Sequence, residues 1–246
     1  MARLTIRPKT RRGTVLAIAG GLAVVAVVGF SVIYFVFLPT SSPKPFTLTT
    51  STASTAAPSS TTSSSTRLAG RWLLAAGSQA GYRVREQLAF LPAQSDAVGR
   101  TSSITGAATL ARSAGGVTIT SASFNVAVNT LKSDRSMRDE KIHSIGLESD
   151  RYPTATFTLS TPLTLASSAV SGRVAHLSAT GILNIHGTSR REAIPLEVTL
   201  SGSTLQAAGS LRFPWSDFGM TAPSIGGFVT VTDKATMEFE LRLQRA

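Results

Sequence analysis

Beyond residue 66 apolar and polar residues alternate in run after run, and few architectures accommodate that pattern. In FNVAVNT, Phe124, Val126, Val128 and Thr130 fall on one side of an extended chain and Asn125, Ala127 and Asn129 on the other. LSATGILNI groups Leu177, Ala179, Gly181, Leu183 and Ile185, and IPLEVTL sets Ile194, Leu196, Val198 and Leu200 against Glu197 and Thr199. TMEFELRL sets Met237, Phe239, Leu241 and Leu243 against Glu238, Glu240 and Arg242. Period two is the repeat of a β-strand, and a polar alternate face marks an antiparallel sheet wetted on one side. Turn signals separate the runs at Gly115-Gly116, Ser171-Gly172, Ser201-Gly202 and Gly226-Gly227. No long stretch carries a helical period. About eight strands with no helices to cover a second face must pack on themselves, as a sandwich or a closed barrel. The alternation leaves both open.

The N-terminal texture is different. Thr14 to Leu38 runs for 25 residues without a charge, and roughly twenty apolar residues suffice to cross a bilayer as a helix. A secretory signal has a shorter apolar region of about 7–15 residues and a small-x-small cleavage site; this stretch ends in aromatics and Leu38-Pro39. Arg3, Arg7, Lys9, Arg11 and Arg12 precede it and only Lys44 follows closely. That asymmetry puts the N-terminus in the cytoplasm and the rest outside the cytoplasmic membrane, as a single-pass signal anchor. Residues 39–66 are Ser, Thr, Pro and Ala with almost no large apolar side chain, the composition of a disordered tether. Their SSPK (Ser41 to Lys44) matches the S-x-x-K of serine acyl-enzymes, a match without weight in so serine-rich a segment. The expected division is therefore 1–13 basic and cytoplasmic, 14–38 transmembrane, 39–66 linker and 67–246 folded β domain.

The formal charge of +11 raises nucleic acid, but the charges are in the wrong place. From Arg67 onward 18 basic residues face 13 acidic ones, a net +5 spread over the whole domain, so no nucleic-acid surface is expected. The absence of cysteine excludes disulfides, thiolate metal sites and cysteine nucleophiles. There is no H-E-x-x-H, P-loop, dinucleotide fingerprint or G-x-S-x-G, and no cofactor or metal is expected. His143, His176 and His186 have no local partners at ligand spacing and read as solvated or turn-bonded. One run stands apart. LKSDRSMRDEKIH (131–143) holds seven charges in thirteen residues, four basic and three acidic. Ser136 and Asp139 resemble a capping box, predicting a short helix over Met137–Ile145 with Arg138, Ile142 and Ile145 on one side. Charges of both signs then belong on a solvated connection, with contact to a ligand head group as the alternative.

Six segments, in order, resemble one family: GYRVRE (Gly81 to Glu86), VGRTSSITGAATL (Val98 to Leu110), FNVAVNTLKSD with MRDEKI, YPTATF (Tyr152 to Phe157), GILNIHGTSRREAIPLEVTL (Gly181 to Leu200) and SDFGM (Ser216 to Met220). Together they are similar to the YceI-like, lipocalin-like lipid-binding proteins, over roughly Arg71 to the C-terminus. The resemblance implies an all-β domain: an eight-stranded antiparallel barrel with a short helix, holding a long-chain isoprenoid or related lipid in its lumen. The apolar faces then become the binding site. Alternation nominates Phe124, Val126, Val128, Phe157, Leu159, Leu183, Ile185, Leu196, Val198, Met237 and Phe239. Phe213, Trp215, Phe218 and Met220 join them, because aromatics and Met suit an adaptable apolar wall. Many relatives carry RDxHL; here Glu140, Lys141 and Ile142 follow Arg138-Asp139, so no histidine role transfers to this position. Pro214-Trp215 also precedes SDFGM where relatives often carry a polar residue or Arg.

The expected protein is a membrane-anchored extracytoplasmic carrier or store for a polyisoprenoid or isoprenoid quinone, not an enzyme. Two rivals stand beside it. One is an enzyme using Asp134, Asp139 or His143 on an amphiphilic substrate; the other is a ligand-free envelope module that binds a protein partner.

Overall fold

The alternating runs become the wall of one antiparallel sheet in a computed structural model that describes residues 42–48, 68–89, 94–113, 116–201, 203–225, 227 and 229–246. Of two units, 1–40 and 41–246, every described residue belongs to the second. The expected anchor at Thr14–Leu38 lies outside the described residues, among which no helix is long and apolar enough to cross a membrane. Strands β1 (Gly70–Leu74), β2 (Gln79–Leu88), β3 (Gln94–Thr101), β4 (Ile104–Ser113) and β5 (Gly116–Ala127) precede a short helix α1 (Ser136–Lys141). Then come β6 (Thr154–Leu159), β7 (Leu163–Leu165), helix α2 (Ser167–Val170), β8 (Ala175–Ile185), β9 (Thr188–Ser201), β10 (Thr204–Pro214), β11 (Ser224–Ile225) and β12 (Val229–Arg245).

The first four strands are two long strands, each broken once. β1 pairs with β4 from Gly70↔Leu110 to Leu73↔Ala107, and β2 pairs with β3 from Ala80↔Thr101 to Gln87↔Gln94. Both breaks are repaired by hydroxyls, as buried backbone groups require. At the first, Ser78 Oγ accepts the Arg242 N–H (3.0 Å) while Ala75 N–H donates to Arg242 O (2.7 Å). At the second, Thr101 Oγ1 accepts the Ser103 N–H (2.9 Å) and meets Thr130 Oγ1 at 2.6 Å. The broken pairs then continue as a meander through β5, β6, β8, β9, β10 and β12, with β7 extending β6 along the edge of β5. β12 closes the ring, meeting β2 over Val229–Glu240 and β1 over Leu243–Arg245. Eight strand tracks therefore form a closed barrel, and the choice between sandwich and barrel that alternation left open is settled by that last ladder.

Two clusters of buried apolar side chains pack the barrel, one toward each end. At one end Trp72, Leu110, Val117, Leu165, Ala169, Leu205 and Leu243 are buried together, with the Trp72 indole donating to Leu68 O (2.9 Å). At the other, Val84, Val128, Leu131, Ile142, Phe213, Trp215 and Phe218 pack under α1 and the 3-10 turn Trp215–Phe218. A bulge in β12 between Val231 and Ala235 frees the Thr232 carbonyl, which the Trp215 indole N–H takes at 2.9 Å.

A segment assigned by composition to the tether lies on the outside of the wall. Ser42 Oγ donates to Asp96 O, and Pro43 O and Lys44 O accept from the Arg83 and Arg100 guanidiniums. The Phe46 ring lies 3.8 Å from Arg100 Cζ, and Leu48 N–H donates to Glu197 Oε2 at 2.8 Å. Underneath, Glu238 is only 2% exposed and pairs with both Arg83 (3.1 Å) and Arg100 (2.8 Å). Phe46 and Leu48 are the large apolar residues that an average over the whole linker conceals. The rest of the expected linker lies outside the described residues.

Candidate functional site

The inward positions enclose a cavity of about 200 Å³ along the barrel axis. Cross-strand register alternates large and small residues around it. Leu196, Gly209, Phe239 and Ala80 face one another across four strands, and Ala175, Val198, Ala207 and Leu241 form the next layer. Four aromatics would block such a lumen if they pointed to its axis. They do not, because each lies flat against a glycine on the neighbouring strand. A methyl at Gly99 would stand 2.3 Å from Tyr82 Cε1, and one at Gly106 2.6 Å from Phe124 Cδ1. At Gly181 it would stand 2.4 Å from Phe157 Cζ, and at Gly209 2.7 Å from Phe239 Cζ. Real carbon contacts are near 3.5–4.0 Å, so only glycine leaves these rings room to lie along the wall.

All the nominated residues line this cavity except Phe218. Phe218 is fully buried in the apolar cluster under α1, edge-on to Phe213 with centroids 4.8 Å apart. Its place in a turn, with no alternation to orient it, explains the miss. Other lining residues were not nominated: Ile104 opens β4 beside the break in its strand, Ile119 sits at a bulge, Leu163 lies in the three-residue β7, and Leu131, Ile142 and Leu147 belong to the segment around α1. Ile194, Leu241 and Leu243 were visible in the alternation and also line it.

The charged run is not a simple solvated connection. Arg138 reaches inward to Glu86, on the lumen-facing side of β2, through two parallel hydrogen bonds of 3.0 Å. It also holds Asp134. The side chains of Arg138 and Glu86 are 12% and 14% exposed. Burial pulls the Arg138 pKa down, but the Glu86 hydrogen bonds and the charges of Glu86 and Asp134 outweigh it, so the guanidinium stays charged. Asp139 is buried and its carboxylate accepts the Ser133 N–H at 2.8 Å, three residues before the predicted capping partner Ser136. α1 ends at Lys141 and passes into a π turn, Ile142–Gly146, closed by Leu147 N–H to Ile142 O (2.7 Å). The wider turn rotates the face predicted for Arg138, Ile142 and Ile145. Ile145 is 38% exposed, and the inward place goes to Gly146 against Ile142 and Trp215.

His143 uses both ring nitrogens, on Ser149 Oγ (2.7 Å) and Leu131 O (3.1 Å). His186 bonds Glu148 at 2.9 Å beneath Tyr152, and His176 is largely exposed. Among the described residues no cluster of His, Cys, Asp or Glu has the geometry to hold a metal ion.

A family model of YceI-like domains matches residues 73–243. Among solved structures, a polyisoprenoid binding domain from Saccharophagus degradans aligns at 16% identity and TM-score 0.53, over 72% of this chain and 99% of its own. Burkholderia cenocepacia BcnA aligns at 19% identity and TM-score 0.47, over 66% of this chain and 95% of its own. The Campylobacter jejuni YCEI protein aligns at 14% identity and TM-score 0.48, over 60% and 84%. No curated protein matches the chain.

Proposed function

Since this chain belongs to the YceI-like family, we propose that its barrel binds one long apolar lipid, a polyisoprenoid or an isoprenoid quinone, as a membrane-anchored extracytoplasmic carrier or store. The observation that carries the reading is the apolar cavity of about 200 Å³ held open by aromatics laid on glycines. Left unfilled, an apolar cavity costs about 24 cal/mol per Å³, or roughly 5 kcal/mol at this volume. That is comparable to the whole stability of a marginal domain, about 5–15 kcal/mol. A hydrocarbon tail removes that cost and gains up to about 0.8 kcal/mol per buried methylene. No catalytic group is needed for such binding. The S. degradans neighbour, by its description, binds a polyisoprenoid, and the N-terminal apolar stretch supplies the anchor beside the lipid source.

The test is mass spectrometry of an organic extract of the 41–246 unit, purified from an exported preparation, against Phe124→Asp/Phe157→Asp. One isoprenoid lipid per protein in the wild type and none in a folded variant is the expected result. A clean wild-type extract that stays clean after incubation with native membrane lipids overturns the reading, as does full lipid content in the folded variant.

A further inference from the structure

The excess positive charge after residue 66 is gathered at one end of the barrel. At that end β4 turns into β5, β7 runs through α2 into β8, β9 turns into β10, and β1 begins beside the last residues of β12. Arg71, Arg112, Arg173 and Arg245 all stand there, and all four are exposed. Of the 18 basic residues after 66, these four and Arg67, which lies outside the described residues, leave 13, equal in number to the acids. All 13 acids fall within the described residues, and none stands at this end. The nearest are Glu197, four residues before the end of β9, and Glu240, five before the end of β12. They are engaged with the Leu48 amide (2.8 Å) and with Arg242 (3.0 Å). The opposite end, around α1, mixes both signs, with Glu86 and Asp134 on Arg138 and Glu148 on His186.

Alternation puts these arginines around the mouth of the barrel. Arg112 continues the row of buried Ala108 and Leu110, and Arg245 that of buried Leu241 and Leu243. Arg173 precedes buried Ala175 at the same two-residue spacing. Each row changes from apolar to guanidinium where the wall ends, just past the cluster around Trp72. Arg71 and Leu73, 42% exposed, take the other face of β1. Around the ring, Arg245, Arg71 and Arg112 occupy consecutive tracks, on β12, β1 and β4. Arg173, at the head of β8, stands three tracks from β4 and three from β12, roughly 14 Å along the wall in either direction.

Charges spaced in this way do not converge on one small anion. They suit a flat, laterally extended source of negative charge. A single-stranded nucleic acid binds through exposed rings on which its bases stack, but Trp72, the aromatic residue of this end among the described residues, is buried with its indole committed to Leu68 O. A bilayer surface needs only cations at its plane and an apolar side chain at headgroup depth, which Leu73 supplies. We propose that this arginine rim docks the barrel, mouth first, on an anionic lipid surface. Docking does not depend on what the lumen holds. Each arginine held near such a surface strengthens binding roughly five-fold, so four give a preference of several hundred-fold for anionic over neutral lipid at low salt. The attraction reaches about 10 Å at 0.1 M salt and is largely screened at 1 M.

The test uses the 41–246 unit, which holds the closed ring and both buried clusters. It is sedimented with vesicles of phosphatidylcholine alone, or with a third of that lipid replaced by phosphatidylglycerol. The expected result is binding at least a hundred-fold tighter to the anionic vesicles, lost in high salt. Arg71→Gln/Arg173→Gln, checked to melt as the wild type does, should bind them roughly 25-fold more weakly. Lys132→Gln/Lys234→Gln removes the same charge from the opposite end, where both lysines are exposed, and should bind as the wild type does. Equal loss in the two variants would assign the effect to net charge and overturns the rim. Equal binding to the two kinds of vesicle overturns it as well. Tighter binding to a single-stranded oligonucleotide than to the anionic vesicles overturns the lipid surface as the partner. A lipid-free extract from a unit whose rim variant still loses binding overturns the carrier reading and leaves docking in place.

Discussion

A methyl group added at Gly181 would stand 2.4 Å from both Phe157 Cζ and the Thr158 carbonyl oxygen, and one at Gly209 2.7 Å from both Phe239 Cζ and the Pro195 carbonyl oxygen. The ring must swing off the wall, and the backbone at that carbonyl must give as well. Gly181→Ala is therefore expected to leave a folded barrel, at a cost of about 1–3 kcal/mol for overpacking, while its lipid content drops by half or more in an extract. Circular dichroism and urea denaturation beside the extraction separate loss of room from loss of fold. Alternation places these aromatics on the inner face, but whether a ring projects or lies flat depends on its cross-strand neighbour. That pairing is a matter of register, which sequence periodicity leaves undetermined. Tyr82 is a second case. Its hydroxyl is buried with no hydrogen bond of ordinary geometry, since the nearby Ser133 hydroxyl is engaged with the Arg135 backbone. Burial raises its pKa strongly; Arg138 opposes this, and Asp139 and Glu86 add to it. The unfolded chain releases this proton near pH 10 while the folded one keeps it. Stability present below pH 10 is thus lost as pH rises, at about 1.4 kcal/mol per unit. Tyr82→Phe should match or exceed wild-type stability at pH 8 and lose less between pH 9 and 11, as urea titrations at each pH would show.

On the scale of an element, the segment from Leu131 to Leu147 is held to the barrel by charge and hydrogen bonds as much as by its apolar side. Arg138→Met leaves Glu86 inside the barrel end without its partner, and the loss of one member of such a pair costs about 3 kcal/mol. Glu86→Leu/Arg138→Met should recover most of that, because the pair's desolvation disappears along with its attraction. A double-mutant cycle by thermal unfolding, with hydrogen exchange over Ser136–Lys141, checks both statements. A short helix here was legible from the spacing of Arg138 and Ile142, but the expected capping box is not formed: the cap is Arg135, without a side-chain hydrogen bond, and Asp139 accepts from Ser133. Its π turn was not legible, because a turn of that kind is selected by what it must fit. Gly146 lies 3.6 Å, by its missing Cβ, from Trp215 and 3.7 Å from Pro223, both more than sixty residues further along the chain. The inward role of Arg138 was hidden for the same reason, since Glu86 sits on a distant strand in an otherwise apolar face.

Over the whole molecule, alternation identifies the wall and its inner face, and the family resemblance identifies the barrel. Neither locates the breaks at Ala75–Ser78 and Ser102–Ser103, where hydroxyls replace ladder partners. The docking of Ser42–Leu48 on the wall escapes because its partners Arg83, Arg100 and Glu197 are far away in sequence and the surrounding residues are Ser, Thr, Pro and Ala. Closure is shared between two ladders of β12, a long one with β2 over Val229–Glu240 and a short one with β1. β1 meets β12 through Trp72↔Arg245, Leu73↔Gln244 and Leu74↔Leu243, with Ala246 N–H donating to Arg71 O. Deleting Gln244–Ala246 should lower the melting temperature by several degrees and expose β1 amides to exchange, with β9 unaffected and β10 losing only its first pair, Thr204↔Gln244. Unchanged protection in β1 would show that β4 alone holds it. The closure of β12 on β2 and β1 gives the barrel an order in time. Every other connection in the ring joins tracks that follow one another along the chain, but this one joins the domain's first track, β1 with β2, to its last. While the chain is being made, the wall is an open trough, and only the newest residues, meeting the oldest, turn it into a vessel.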